Sequence, residues 1–296
     1  MGCRVALVTC SVLPDGWADD HALALALEER GASAEFLVWD DPAVEWDHYD
    51  LVVLRSPWDY TGRRDEFLGW ADSVGPGLRN SAGLLRWNSD KHYLAELGEA
   101  GVPTVPTQLV APGEELDELR GEVVVKPTVS AGARDTGRFG PASHDAARDL
   151  ISKIGADGGT VMVQPYLASV DDRGETAILV VSGAVSHVLR KASVLGADEV
   201  APMRVGGISA AEAMFRSDLV VAGSATAAEH ALAERVLAEV SERFGAPLYA
   251  RVDMLAGADC EPVLLELEAV EPSLYLATSD GAAERFAKAI LVECER

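Results

Sequence analysis

The sequence predicts a doubly wound α/β unit followed by two α+β units. Three observations support this. Short continuous Val/Leu runs alternate with helical stretches in the first 88 residues, as in a parallel sheet covered on both faces. In the remainder, helices with caps and glycine stops separate paired strands. Two late strands carry acidic residues at alternate positions, so those charges share one sheet surface. The expected partition is an α/β unit over 1–88, a central α+β unit over 89–166 and a C-terminal α+β unit over 167–296.

In the first unit, residues 5–9 form a short apolar strand and 19–30 a helix that stops at Gly31. Strands follow over 34–39 and 51–55, then a helix over 64–74. Ligands of such sheets sit beyond the carboxyl ends of the strands, which singles out 11–16 and the run Arg55-Ser56-Pro57-Trp58-Asp59-Tyr60. In the second unit Asn88-Ser89-Asp90 precedes a helix over 91–100 that closes at Gly101. A strand over 123–127, a small-residue loop reaching Gly140, a helix over 145–154 and a strand over 161–164 complete it. The third unit has strands over 175–181 and 184–191, a polar connection through Gly206-Gly207 and a long helix over 226–244. Strands over 249–255 and 263–269 and a terminal helix over 281–293 close the chain.

Hydrophobic residues at 48% and charged residues at 25% are globular proportions. The apolar runs fall far short of the roughly 18 residues that cross a bilayer, and the N-terminus has no basic leader, so a cytoplasmic protein is expected. A net charge of -23 repels a phosphate backbone, which argues against nucleic acid as a partner. An anionic nucleotide then needs a local convergence of Lys, Arg and a divalent cation. Cys3, Cys10, Cys260 and Cys294 show no CxxC or zinc-ligand spacing, so they are expected to be reduced and mostly buried. A homo-oligomer is left open.

GxxxxGK[ST], a complete GxGxxG, HExxH and GxSxG are all absent. Arg251-Val252-Asp253 puts Arg251 and Asp253 on one face of a strand, and Leu265-Glu266-Leu267-Glu268 does the same for Glu266 and Glu268. A solvated face with cross-strand ion pairs is one outcome. The other is a Mg²⁺ site for ATP phosphates, because clustered hard oxygen ligands beside a cation suit it, with Arg251 steadying charge during transfer.

Lys126 follows three valines at the end of a buried strand, where a lysine either snorkels or meets an anion. The segment 128–137, with Ser130 and Gly132, can cover phosphates with backbone N–H groups or be an ordinary mobile turn. Lys91 takes a phosphate role from this company. Gln164-Pro165-Tyr166-Leu167 stiffens the chain where a flat base can lie, though proline also simply ends strands. Glu175 and Lys191 add charge nearby. Arg55, Trp58, Asp59 and Tyr60 are the substrate-recognition candidates, with a packed surface corner as the alternative.

In this order, Lys91, Val-Val-Lys126-Pro, Gln164-Pro-Tyr-Leu, Gly174-Glu175-Thr, Arg251-Val-Asp253 and Leu-Glu266-Leu-Glu268 resemble the ATP-grasp superfamily over about residues 88–290. Trp39-Asp-Asp-Pro42, the run 55–60, Arg86-Trp-Asn88, Lys126-Pro-Thr-Val-Ser-Ala-Gly-Ala133 and Glu271-Pro-Ser-Leu274 look like the subgroup that includes D-cycloserine synthetase. The resemblance implies ATP between two α+β subdomains. It puts Lys91 and Lys126 on the phosphates, Gln164 and the Tyr166-Leu167 backbone at the adenine, and Asp253, Glu266 and Glu268 on Mg²⁺. Many superfamily members carry Asn where this chain has Glu268.

The resemblance further implies an ATP-dependent ligase that makes an acyl phosphate and passes it to a nitrogen nucleophile. The subgroup implies intramolecular ring closure of O-ureido-D-serine to D-cycloserine. Joining another small amino acid or carboxylate to an amine, a small-molecule kinase and a nucleotide-sensing module are the alternatives. The loop 128–137 is the expected lid. Asp253→Asn and Glu266→Gln are expected to cripple ADP release while leaving the fold largely intact.

Overall fold

The computed structural model describes residues 2–116, 118–132, 134–193 and 219–296. Strands β1 (Arg4–Thr9), β2 (Ser33–Val38), β3 (Leu51–Ser56) and β4 (Leu78–Arg79) form a parallel sheet in the order β2-β1-β3-β4. Alternation along β1 and β3 sends Val5, Leu7, Leu51 and Val53 to one side, where Leu23 and Leu27 of helix α1 (Ala18–Glu28) meet them. Ala6, Val8, Val52 and Leu54 go to the other side, against Phe67 and Ala71 of α2 (Arg64–Val74). Both faces are covered, as the uninterrupted apolar runs require.

Short helices α3 (Ala82–Asn88) and α4 (Tyr93–Glu99) lead to the second sheet. It is antiparallel, in the order β5 (Gln108–Val110), β8 (Val161–Pro165), β6 (Val123–Pro127), β7 (Gly137–Phe139). Helix α5 (His144–Ala156) covers one face, burying Ala147, Leu150, Ile151 and Ile154 against Val123, Val125, Val161 and Val163. Period-two alternation therefore turns Val124 and Lys126 to the opposite, uncovered face.

The third sheet is also antiparallel, in the order β11 (Val220–Ala222), β10 (Ala184–Lys191), β9 (Glu175–Val181), β12 (Tyr249–Ala256), β13 (Pro262–Glu268). The short helix α6 (Ser169–Arg173) precedes it. Helix α7 (Ala227–Phe244) starts at a capping box of Thr226 and Glu229 and packs Leu232, Val236 and Val240 on Ile178, Val180 and Val252. The other face, with Ala177, Leu179 and Tyr249, meets Phe286 and Ile290 of α8 (Ala282–Cys294). The same core contains Val5, Leu7 and Leu23, so α8 ties the last part of the chain to the first sheet.

Several expectations need correction. Asn88 ends a helix instead of preceding one, and the following helix begins at Tyr93, two residues after Lys91. The loop expected to reach Gly140 is shortened by β7. Strands of two or three residues, such as β4, β5 and β11, are too short for periodicity to reveal. Cys3 and Cys294 form a disulfide with their Cα atoms 6.2 Å apart, and Cys260 is exposed, so only Cys10 matches the expected buried free thiol. The bridge joins residues 291 positions apart because α8 packs back over the first unit, which sequence spacing does not disclose. Gly206-Gly207 and Ala133 lie outside the described residues. Among the described residues no helix is long and apolar enough to cross a membrane.

Candidate active site

The uncovered face of the second sheet and the end of the third enclose a cleft with a cavity of about 280 Å³. Its floor is set by β12 and β13, which pair antiparallel with Arg251 opposite Glu268 and Asp253 opposite Glu266. β13 pairs with β12 on one side; on its outer edge the backbone of 103–105 bridges Leu264, and beyond it side chains grip the strand. Asn88 Nδ2 donates to Leu267 O (2.9 Å), Ala269 N donates to Asn88 Oδ1 (2.7 Å), and Tyr93 Oη donates to Leu267 O (2.8 Å). These buried bonds satisfy the edge's polar groups and hold Glu266 and Glu268 toward the cavity. Asn88 and Tyr93 were not singled out from the sequence as site residues. A polar residue at a helix end reads as a cap, and Tyr93 reads as core.

Four cations converge on these acids. Lys91 Nζ lies 3.0 Å from Glu266 Oε1 and donates to Ser130 O at 2.8 Å. Lys191 Nζ lies 2.8 Å from Glu175 Oε2, its partner across the β9–β10 pair, and 3.0 Å from Asp253 Oδ2. Arg251 binds Asp253 and Glu268 together. Lys126, only 8% exposed, makes no ion pair among the described residues.

The protonation pattern follows from this layout. Burial pushes the Lys126 ammonium below its ordinary value, more than the attraction of Glu266 offsets. Burial alone would raise Asp253, yet Arg251 and Lys191 hold it down at about 2. Glu266 is likewise lowered against burial by Lys91 and Lys126. Burial pushes Glu268 up to about 7 despite Arg251, with Asp253 and Glu266 adding to the rise. Burial is the main cause of the rise at Glu268, and a hard cation beside it would offset that loss of solvation.

Glu266 and Glu268 line the cavity and fit a hard cation, whereas Asp253 lies beneath, 1% exposed and engaged by Arg251 and Lys191. No group of three metal-ligating side chains is preassembled among the described residues. Ser130, Gly132, Gln164, Tyr166, Leu167, Glu175, Lys191 and Arg251 all line the cavity with Lys91 and Lys126. Gln164 donates to Thr107 Oγ1 (2.8 Å). Tyr166 N donates to Glu122 O, while its ring is covered by Arg138 at 3.5 Å.

The substrate candidates divide. Trp58 and Tyr60 line the cavity. Arg55 does not: it is 2% exposed, paired with Asp20 at 3.0 Å and set over the rings of Tyr249 and Phe286. Asp59 is also turned away, accepting from Trp39 Nε1 (2.8 Å) and Arg63 Nη2 (3.1 Å). A strand end selects the segment, but alternation decides which of its side chains faces the ligand. Arg134, Thr61 and Glu271 line the cavity and were not predicted. Arg134 donates to Thr61 Oγ1 and so joins the 128–137 loop to the first unit.

Comparisons with known proteins agree with this architecture. The family model described as the N-terminal domain of D-cycloserine synthetase DcsG matches residues 5–80. The cycloserine biosynthesis protein DcsG of Streptomyces lavendulae is 36% identical over 302 residues, covering 97% of each chain. The crystal structure of D-cycloserine synthetase DcsG superposes with a TM-score of 0.84 at 34% identity, over 98% of this chain and 99% of that one. D-alanine–D-alanine ligase of Bacillus anthracis, complexed with ATP, shares the fold at a TM-score of 0.65 and 13% identity, over 100% of this chain and 98% of that one. The chain therefore belongs to the DcsG family of ATP-grasp ligases and is an ATP-dependent ligase.

Proposed function

We propose that the chain closes O-ureido-D-serine to D-cycloserine, using ATP to activate the substrate carboxylate as an acyl phosphate and Mg²⁺ to accompany the phosphates. The observation that carries this reading is the buried Lys126, without an ion pair among the described residues, in the same cavity as the acidic pair Glu266 and Glu268. A triphosphate with a divalent ion complements both at once. Similarity to DcsG supports the choice of substrate.

A carboxylate repels nucleophiles, and phosphorylation gives it a leaving group, so the protein needs no nucleophile of its own. Its contribution is orientation, charge stabilisation and exclusion of water. Lys126 and Lys91 take the phosphates, Lys91 giving up Glu266 as it turns to them. Backbone N–H groups near Ser130 and Gly132 cover them from the loop 128–137. Gln164 and the backbone at Tyr166 and Leu167 take the adenine, while Glu175 and Lys191 border the ribose–phosphate path. Arg251 steadies the charge of transfer. Glu266 and Glu268 would hold Mg²⁺, which would supply neutralisation of phosphate charge, and Asp253 would reach it only after giving up its contacts with Arg251 and Lys191. Trp58 and Tyr60 bound the substrate end. The substrate's own oxygen-bound ureido nitrogen displaces phosphate, and water then hydrolyses the carbamoyl group from that nitrogen, releasing carbon dioxide and ammonia so that the product balances.

The test is to incubate the full chain with ATP, Mg²⁺ and O-ureido-D-serine. ADP, inorganic phosphate and D-cycloserine are expected in step. ADP with phosphate retained on the acceptor would make it a kinase, and ATP binding without substrate-dependent ADP would make it a sensor.

A further inference from the structure

Glu271 stands apart from the other acids of the cleft. Glu175 and Asp253 pair with Lys191, Glu266 with Lys91 and Glu268 with Arg251, whereas Glu271 makes no ion pair among the described residues. Its carboxyl accepts a hydrogen bond from the Tyr60 hydroxyl, and its carbonyl accepts one from Trp58 Nε1 at 3.3 Å. Both rings line the cavity beside it. The backbone that follows is held firmly: Arg55 Nη2 donates to Pro272 O (3.3 Å) and Arg251 Nη1 to Ser273 O (2.9 Å). A carboxylate fixed among aromatic rings, with no ion-pair partner and Lys91 attracting it only weakly against burial and Glu268, is costly in the empty protein. Burial, with the charge of Glu268, pushes it up to about 8, so the empty cleft keeps it protonated at neutral pH.

We propose that Glu271, with Tyr60 and Trp58, forms the subsite for the ammonium group of an α-amino-acid substrate and selects for a free amine beside the carboxylate that is activated. This rests on the ligase reading above and deepens it. An ammonium supplies the missing counter-charge and sits well against ring faces, while Tyr60 fixes the carboxylate's orientation. An acylated amine brings no charge to draw the proton from Glu271, forgoes the ion pair that a free ammonium gains and adds bulk between the rings, so the site disfavours it.

The test uses the full chain in two arms. In the first, ADP release from O-ureido-D-serine is measured for wild type, Glu271→Gln and Tyr60→Phe. The KM for the amino acid is expected to rise by about tenfold or more in Glu271→Gln, and less in Tyr60→Phe, with the KM for ATP held within about twofold. A general structural defect moves both constants. In the second arm, thermal shift with a non-hydrolysable ATP analogue compares D-serine and O-ureido-D-serine with their N-acetyl forms. Wild type is expected to respond to the free amines only, and Glu271→Gln to neither. The proposal is overturned by an unchanged amino-acid KM in Glu271→Gln, by equal shifts from free and acetylated forms, or by no shift from any amino acid. If the free amines shift wild type but O-ureido-D-serine releases no ADP, the subsite stands and the assigned substrate falls.

Discussion

Arg251 and Asp253 form a two-pronged ion pair beneath the cleft, with Nε 2.9 Å from Oδ1 and Nη2 2.9 Å from Oδ2, and each residue is 1% exposed. Lys191 adds a third contact to the same carboxylate. Asp253→Asn therefore leaves two buried cations short of a counter-charge, at a cost of roughly 3–5 kcal/mol. The denaturation midpoint should fall together with turnover, contrary to the sequence expectation of an intact fold. Glu266→Gln, at the cavity wall, should lose turnover with a much smaller change in midpoint. Equal midpoints for wild type and Asp253→Asn would contradict this account.

Lys126→Met should separate stability from function. The ammonium is buried, has no ion pair among the described residues and is depressed, so an apolar side chain of similar length removes a desolvation cost. The midpoint of the free protein should hold or rise, while the KM for ATP rises by about tenfold or more. Thermal melts and ADP-release kinetics on one preparation check both.

Stability of the nucleotide-free protein should fall as pH rises from about 4.5 toward 8 at Glu271. Its folded value, about 8, lies above the ordinary 4.5, so the folded state binds the extra proton. The stability is complete below the unfolded value and is lost as pH climbs through the folded one. Glu268, raised to about 7, contributes in the same direction, so Glu271→Gln should reduce this slope without abolishing it. Asp253 acts oppositely at the acid end: its value of about 2, against 3.8 unfolded, gives stability that disappears as pH drops through that interval. Midpoints measured across pH in wild type and Glu271→Gln decide the first, and acid titration of wild type the second.

Arg134→Ala should uncouple ATP use from product. Arg134 joins the 128–137 loop to Thr61 across the cleft, and an acyl phosphate exposed to water hydrolyses. More ADP per product is expected, with an unchanged denaturation midpoint. A ratio equal to wild type removes the loop's role as a water barrier.

Much of this was legible in the sequence for physical reasons. Strand alternation placed Glu266 and Glu268 on one face, and a lysine after three valines marked Lys126. Helix α2 and strands β6, β9 and β10 occupy the expected residues because their apolar patterns are long and bounded by turn residues. Arg55 was misjudged because a charged residue at a strand end looks available, and only the folded chain shows Asp20 and two aromatic rings closing over it. Glu271 was missed for the converse reason. Its isolation depends on which cations lie near it, a three-dimensional fact that no spacing encodes.

The grip of Arg55 and Arg251 on neighbouring carbonyls of the 272–273 backbone has a mechanical consequence. One arginine belongs to the first sheet and the other to the third, so this short stretch acts as a common rivet between them. The spacing between the first sheet and the third at the cleft is then set by hydrogen bonds to one stretch of backbone. Loosening either arginine should blur that spacing while leaving each ligand able to dock.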